Sequence, residues 1–247
     1  MKKTSKEPKR TIHTSRTLMF AELARIMDHG RHEGAYLSSL DDNVISKTTR
    51  TNQAKTNGLL INLYGFEPQR PDFKAFAYFW GQAGTEEQPI LALLYALGRD
   101  YLLEESISVV QRTPPGERVA VEKFEDQLEQ LHPQRFSPKT LRSVAQNLAS
   151  SWKQAGFITG KVKNIRTQPE ITHTCISFAM LLAYLTGRRG EFILDSPWVK
   201  ALGLSQDQIR ALAYEATKRD LLQYNSAGEV TSISFDHLLK KLDIHGI

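Results

Sequence analysis

Ser137 to Arg166 reads SPKTLRSVAQNLASSWKQAGFITGKVKNIR, with six cations (Lys139, Arg142, Lys153, Lys161, Lys163 and Arg166) and no acid, in a chain that carries 27 acidic residues. Ser137 as N-cap followed by Pro138 at the first turn predicts a helix start. At about 100° per residue, Leu141, Val144, Ala145, Leu148 and Trp152 then share one face that must meet a core. The opposite face carries Arg142, Gln146, Ser150 and Lys153, flanked by Ser143 and Gln154. Gly156 ends the helix, and FITGKVKNIR continues as an extended segment with Lys161, Lys163 and Arg166 at roughly strand spacing. A recognition helix followed by a basic wing has this composition, because Lys and Arg neutralise phosphates while amides and hydroxyls reach base edges or phosphate oxygens. The competing reading is a solvated helix face and an ordinary hairpin. Solvated faces usually mix both signs of charge, and this one does not.

Charge is partitioned along the chain as well. Residues 1–60 hold 11 basic and 6 acidic residues, residues 61–136 hold 7 and 12, and residues 137–247 hold 14 and 9, giving +5, −5 and +5. A second stretch without acids runs from Asp42 to Glu67, with Lys47, Arg50 and Lys55 among Thr, Asn and Gln. If the helix there buries Leu59, Leu60 and Leu63, its polar N-terminal half projects outward, where a helix-turn-helix reads DNA. A polar loop is the alternative.

The rest of the pattern is mostly helical. TLMFAELARIMDH is amphipathic up to Gly30, which can end it, and SSLDDNVI supplies a short second helix. PDFKAFAYFWGQAG turns Phe73, Phe76, Ala77 and Trp80 to one side. QPILALLYALGRDYLLEESISVVQR reads as one long apolar helix, and VAVEKFEDQLEQL points Val121, Phe124, Leu128 and Leu131 inward. HTCISFAMLLAYL, SPWVKALG and SQDQIRALAYEATKRDLL predict three further helices, and QYNSAGEVTSISF a β-hairpin. Helix, helix, helix and hairpin is the order of a winged helix. The fold class expected is therefore mainly α, a helical bundle with helix-turn-helix or winged-helix elements and one or two short β-hairpins. Four regions are expected: a disordered basic tail over 1–14, a helix-turn-helix-like region over 15–66, a central helical region ending in the basic helix and wing over 67–168, and a winged-helix-like region over 169–247.

Several chemistries find no support. The single cysteine, Cys175, excludes an internal disulfide and a multi-cysteine zinc site, which fits a reducing cytoplasm. The longest apolar runs are about half the roughly 20 residues of a membrane span, so no membrane partner is expected. Neither phosphate-cradling glycine motif is present. His29 and His32 lack an obvious third ligand, and His173 beside Cys175 opens an apolar helix. Asp72 and Lys74 in PDFK keep a metal-dependent nuclease open, although such a site needs a further carboxylate. Trp80, Trp152 and Trp198 fall at core positions, which argues against base stacking on single strands. No metal, cofactor or catalytic residue is expected.

Four segments taken in order, DDNVISKTTRTNQAKTNGLLINLYGFEP, QPILALLYALGRDYLLEESI, SPKTLRSVAQNLASSWKQAGFITGK and GEFILDSPWVKALGLS, resemble the BrxA-like proteins of bacteriophage exclusion (BREX) defence islands. The resemblance implies a small, mostly helical, non-enzymatic protein with winged-helix features that binds double-stranded DNA. It implies work beside a methyltransferase, a large ATPase and a phosphatase-like protein encoded nearby. The expected DNA contacts are Lys47, Arg50, Lys55, Lys139, Arg142, Gln146, Lys153, Lys161, Lys163 and Arg166. A protein–protein adaptor of a defence complex, without DNA contact, is the main alternative.

Overall fold

The computed structural model of the chain describes residues 10–33, 36–41, 44–45, 49–227 and 230–246. Helices α1 (Phe20–Glu33), α2 (Ser38–Asp41) and α3 (Arg50–Tyr64) come first. The first of them continues through Gly30, where the sequence predicted its end. A side chain at Gly30 would run into the Tyr36 ring, so glycine here serves close packing inside the helix rather than termination. Thr49 caps α3 by accepting from the Asn52 N–H, and Leu60, Leu63 and Tyr64 turn inward while Leu59 is partly buried. Gln53 and Asn57 donate to the Leu40 carbonyl at 3.1 and 2.9 Å. Part of the polar half of α3 therefore holds α2 in place instead of projecting into solvent.

Pro71–Gln82 forms α4. The apolar run after it is three helices, not one: α5 (Gln88–Leu97), α6 (Tyr101–Glu105) and α7 (Ile107–Gln111). Asp100 makes the break. Its backbone is extended (φ −129°, ψ 106°) and its carboxylate accepts from the N–H groups of Leu102 and Leu103, the geometry of an N-cap that starts a new helix. Next come α8 (Val121–Leu131), α9 (Pro138–Gln154), β1 (Ile158–Thr159) and β2 (Ile165–Arg166). The two strands are antiparallel, with Ile158 opposite Arg166 and Thr159 opposite Ile165. Arg118 bridges Ile165 from the other edge, also antiparallel. Helix, extended segment, two helices and a hairpin is the element order of a winged helix, and it ends in the stretch quoted first.

Four helices, a hairpin and a closing helix follow: α10 (His173–Leu185), α11 (Glu191–Leu194), α12 (Pro197–Ala201), α13 (Gln206–Thr217), β3 (Gln223–Ala227), β4 (Val230–Ser234) and α14 (Asp236–Lys241). Asn225 and Ser226 lie within β3, and Ala227 pairs with Val230 at the end of the ladder. The described residues are mainly helical with two small antiparallel hairpins, as the sequence predicts. Its core is continuous. Phe76 on α4 stacks on Tyr95 of α5 at 4.5 Å between centroids and on Phe178 of α10 at 5.9 Å. The apolar helix α10 is buried on nearly all sides, which is why its sequence shows little amphipathic alternation. Leu131 departs from expectation, being 44% exposed. Among the described residues no helix is long and apolar enough to cross a membrane.

The basic tail expected over 1–14 falls largely outside the described residues. Its last part does not: Ile12 and His13 are buried, so the chain is already part of the folded body there.

Candidate nucleic-acid interface

Helix α9 begins as its sequence demands, with the Ser137 hydroxyl accepting from the Thr140 N–H and Pro138 in the first turn. Val144, Ala145, Leu148 and Trp152 are buried and Leu141 packs against the core. The Trp152 indole N–H is satisfied by the Ser106 hydroxyl at 2.7 Å. Each fully buried aliphatic or aromatic side chain of this kind contributes about 1.5–3 kcal/mol of transfer free energy, so the apolar face fixes which residues of α9 look outward. Those residues are Lys139, Arg142, Ser143 and Gln146, all exposed, with Lys153 at the far end.

The wing grows directly from the end of α9. Gly156 and Gly160 take φ values of 82° and 99°, in the left-handed region where a β-carbon is strained. At Gly160 a side chain would also collide with the Lys163 carbonyl, so the turn from 160 to 163 closes tightly only around glycine. The Lys153 ammonium donates to the Gly160 carbonyl at 2.7 Å and ties wing to helix. Lys161 and Lys163 are exposed at the tip, on either side of Val162, which is 96% exposed.

Two expected contacts are placed differently. Arg166 is buried, with 3% of its surface accessible. Its guanidinium donates to the Val110 and Thr167 carbonyls and to the side chains of Gln111 and Gln168. It fastens the base of the wing to α7 and cannot also meet a phosphate. Arg142 is exposed, but its Nη1 lies 2.8 Å from a carboxylate oxygen of Glu122 and 2.8 Å from one of Glu125, both on α8. These contacts hold the Glu122 carboxyl below the ordinary carboxylate range, first through the hydrogen bond from Arg142. The cation count of the run therefore overstates the free charge of this face. Replacing Glu122 and Glu125 together by Gln is expected to release Arg142 and strengthen duplex binding, by roughly tenfold or less at low salt, in an anisotropy titration.

Arg50 and Lys55 are exposed on α3, and Lys47 lies outside the described residues. The nuclease pair is separated. Asp72 accepts two hydrogen bonds from Arg70, whereas Lys74 donates to the Asp243 carbonyl. Among the described residues no group of three His, Cys, Asp or Glu side chains could hold a metal ion. Cys175 is buried and desolvation pushes its thiol up to about 11, which suits a packing role.

One further group has no signature in the sequence. His13 Nδ1 lies 2.8 Å from Asp100 Oδ2, and His13 Nε2 lies 2.9 Å from Ser151 Oγ. That is the connectivity of a serine, histidine and aspartate relay, but all three side chains are buried. The Ser151 hydroxyl donates to the Asn147 carbonyl and accepts from the Leu18 N–H, so its oxygen is already occupied by the fold. Asp100 also accepts from Thr11 Oγ1 and the Ile12 N–H. The network pins residues 11–18 across α6 and α9, and thereby sets the back of the basic helix.

Comparison with protein-family models, curated proteins and solved structures finds no match for this chain.

Proposed function

We propose that the chain is a double-stranded DNA-binding protein without chemistry of its own, and that it serves a BREX-like anti-phage system as a BrxA-like component. The reading rests on one observation above all. A run without acids folds into a helix capped at its start and a wing clamped at its base, with Lys139, Gln146, Lys153, Lys161 and Lys163 on the outward side. Helix α9 lies in the major groove with Gln146 near base edges, and the wing lysines meet phosphates of the flanking backbone. Arg50 and Lys55 on α3 add a second, weaker contact. The acidic side of α8 limits how far α9 enters the groove, because Glu122 and Glu125 stand beside Arg142.

A protein adaptor is the second reading, favoured by that same acidic helix: Glu122, Glu125, Asp126 and Glu129 lie along it. In the defence setting the neighbours would be a methyltransferase, an ATPase and a phosphatase-like protein. Fluorescence anisotropy with labelled duplex, single-stranded DNA and RNA separates the two readings. Saturable binding with duplex preferred supports the first. Retention by those neighbours after nuclease treatment, with no measurable binding to any nucleic acid, supports the second.

A further inference from the structure

The wing carries one side chain that charge neutralisation does not explain. Val162 sits at its tip between Lys161 and Lys163 and is 96% exposed, more than any other large hydrophobic side chain among the described residues. Tight turns favour Gly, Pro, Asn, Asp and Ser, each for a backbone reason that a β-branched apolar residue does not share. Packing does not account for Val162 either, since almost all of its surface is in solvent.

The tip is held by what lies beneath it. The Gly116 and Val119 N–H groups donate to the Arg166 and Asn164 carbonyls at 2.8 and 2.9 Å, and the Arg166 N–H donates to the Glu117 carbonyl at 2.8 Å. The strand Ile165–Arg166 is therefore flanked on one edge by Ile158–Thr159 and on the other by residues 116–119. At the far side of the turn the Lys153 ammonium holds the Gly160 carbonyl, and the Lys163 carbonyl lies against the bare Gly160 Cα. Only residues 161–163 project from this frame. A short apolar tip on a fixed base has little backbone freedom to lose on contact, which favours a defined seat on a partner.

We infer that the wing tip reads the minor groove beside the major groove that α9 enters, with Val162 against the groove floor and Lys161 and Lys163 on its phosphate walls, and that it selects A·T pairs. The inference rests on the reading of α9 and the wing as a duplex-binding surface. Its selectivity follows from the groove. Guanine places a 2-amino donor on the minor-groove floor, where adenine has a bare C2–H. An apolar side chain packs against the C–H, whereas over guanine it would bury an N–H with no acceptor, which is unfavourable. Runs of A·T pairs also have a narrower groove with a stronger negative potential, which draws the two lysines.

Anisotropy titrations at one fixed salt concentration, with labelled duplexes of equal length centred on A·T, G·C or inosine·cytosine pairs, test this. Inosine lacks the 2-amino group, so its pair with cytosine has the minor groove of A·T and the major groove of G·C. The full chain should bind the A·T and inosine duplexes about five- to tenfold more tightly than the G·C duplex. Val162→Ser should bring all three within about twofold of one another, and Val162→Ile should keep the preference. Val162 supports no packing, so both variants should fold as the parent does, which far-UV circular dichroism checks. An inosine duplex that binds like G·C would place the selection in the major groove and overturn the inference. Equal affinity of the parent for all three, or a preference that survives in Val162→Ser, would overturn it while duplex binding itself stands. No binding to any duplex would remove the inference and the duplex-binding reading together.

Discussion

Replacing Asp100 by alanine is expected to cost about 3–5 kcal/mol of folding stability, the range for removing one partner of a buried charged pair. The carboxylate meets Thr11, Ile12 and His13 on one side and the N–H groups that begin α6 on the other. Its loss strands His13 between α6 and α9 and uncaps α6 in the same step. Urea denaturation should show a lower midpoint together with faster proteolysis of the segment before α1. A midpoint within about 0.5 kcal/mol of the parent, the scale of ordinary surface changes, would mean that the network does not hold the segment.

The same carboxylate gives a pH signature. Burial alone raises the Asp100 carboxyl, but the attraction of His13 and hydrogen bonds from His13, Ile12 and Leu103 outweigh it and hold the folded value below the ordinary 3.8. A depressed carboxyl contributes stability that is fully present above the unfolded value and lost as pH falls through the folded one. Stability should therefore drop as the solution is acidified below about pH 4. In Asp100→Asn that part of the acid loss should be absent, which urea midpoints measured across the acid range would reveal.

The second large effect concerns the proposed DNA surface. Changing Lys139, Lys153, Lys161 and Lys163 to Ala removes up to four phosphate contacts and should lower the magnitude of the slope of log K against log salt by about 3–4. Arg142 and Arg166 are better left alone in this test. The first is paired with two carboxylates and the second is structural, so changing either would confuse charge with folding. Lys153 also ties down the wing, so Lys139, Lys161 and Lys163 alone form the stricter variant, with an expected change of about 2.7.

The course of α9 was legible because three local signals agree there: a Ser–Pro start, a period of 3.6 residues in its apolar positions, and a glycine stop. Arg166 was misplaced by counting charge alone. Lys161 and Lys163 lie in the turn, and only Ile165–Arg166 is strand, on which Arg166 is the buried residue of the two. The Arg142 pairing depends on α8 lying beside α9, a tertiary fact with no trace in either helix alone. The break at Asp100 was hidden by the apolar residues on both sides of it. His13, Asp100 and Ser151 are brought together over separations of 87 and 138 positions, beyond any spacing rule. Trp198, expected in the core, packs against it as a partly buried side chain.

The most direct test of duplex binding by α9 and its wing is a titration of labelled duplex with the parent chain across roughly 50–200 mM salt. Affinity should fall along a straight line in log–log coordinates with a slope of about −3 or steeper, as expected when several lysines displace counterions. Binding that is absent at the lowest salt, or that does not change across the series, would contradict it.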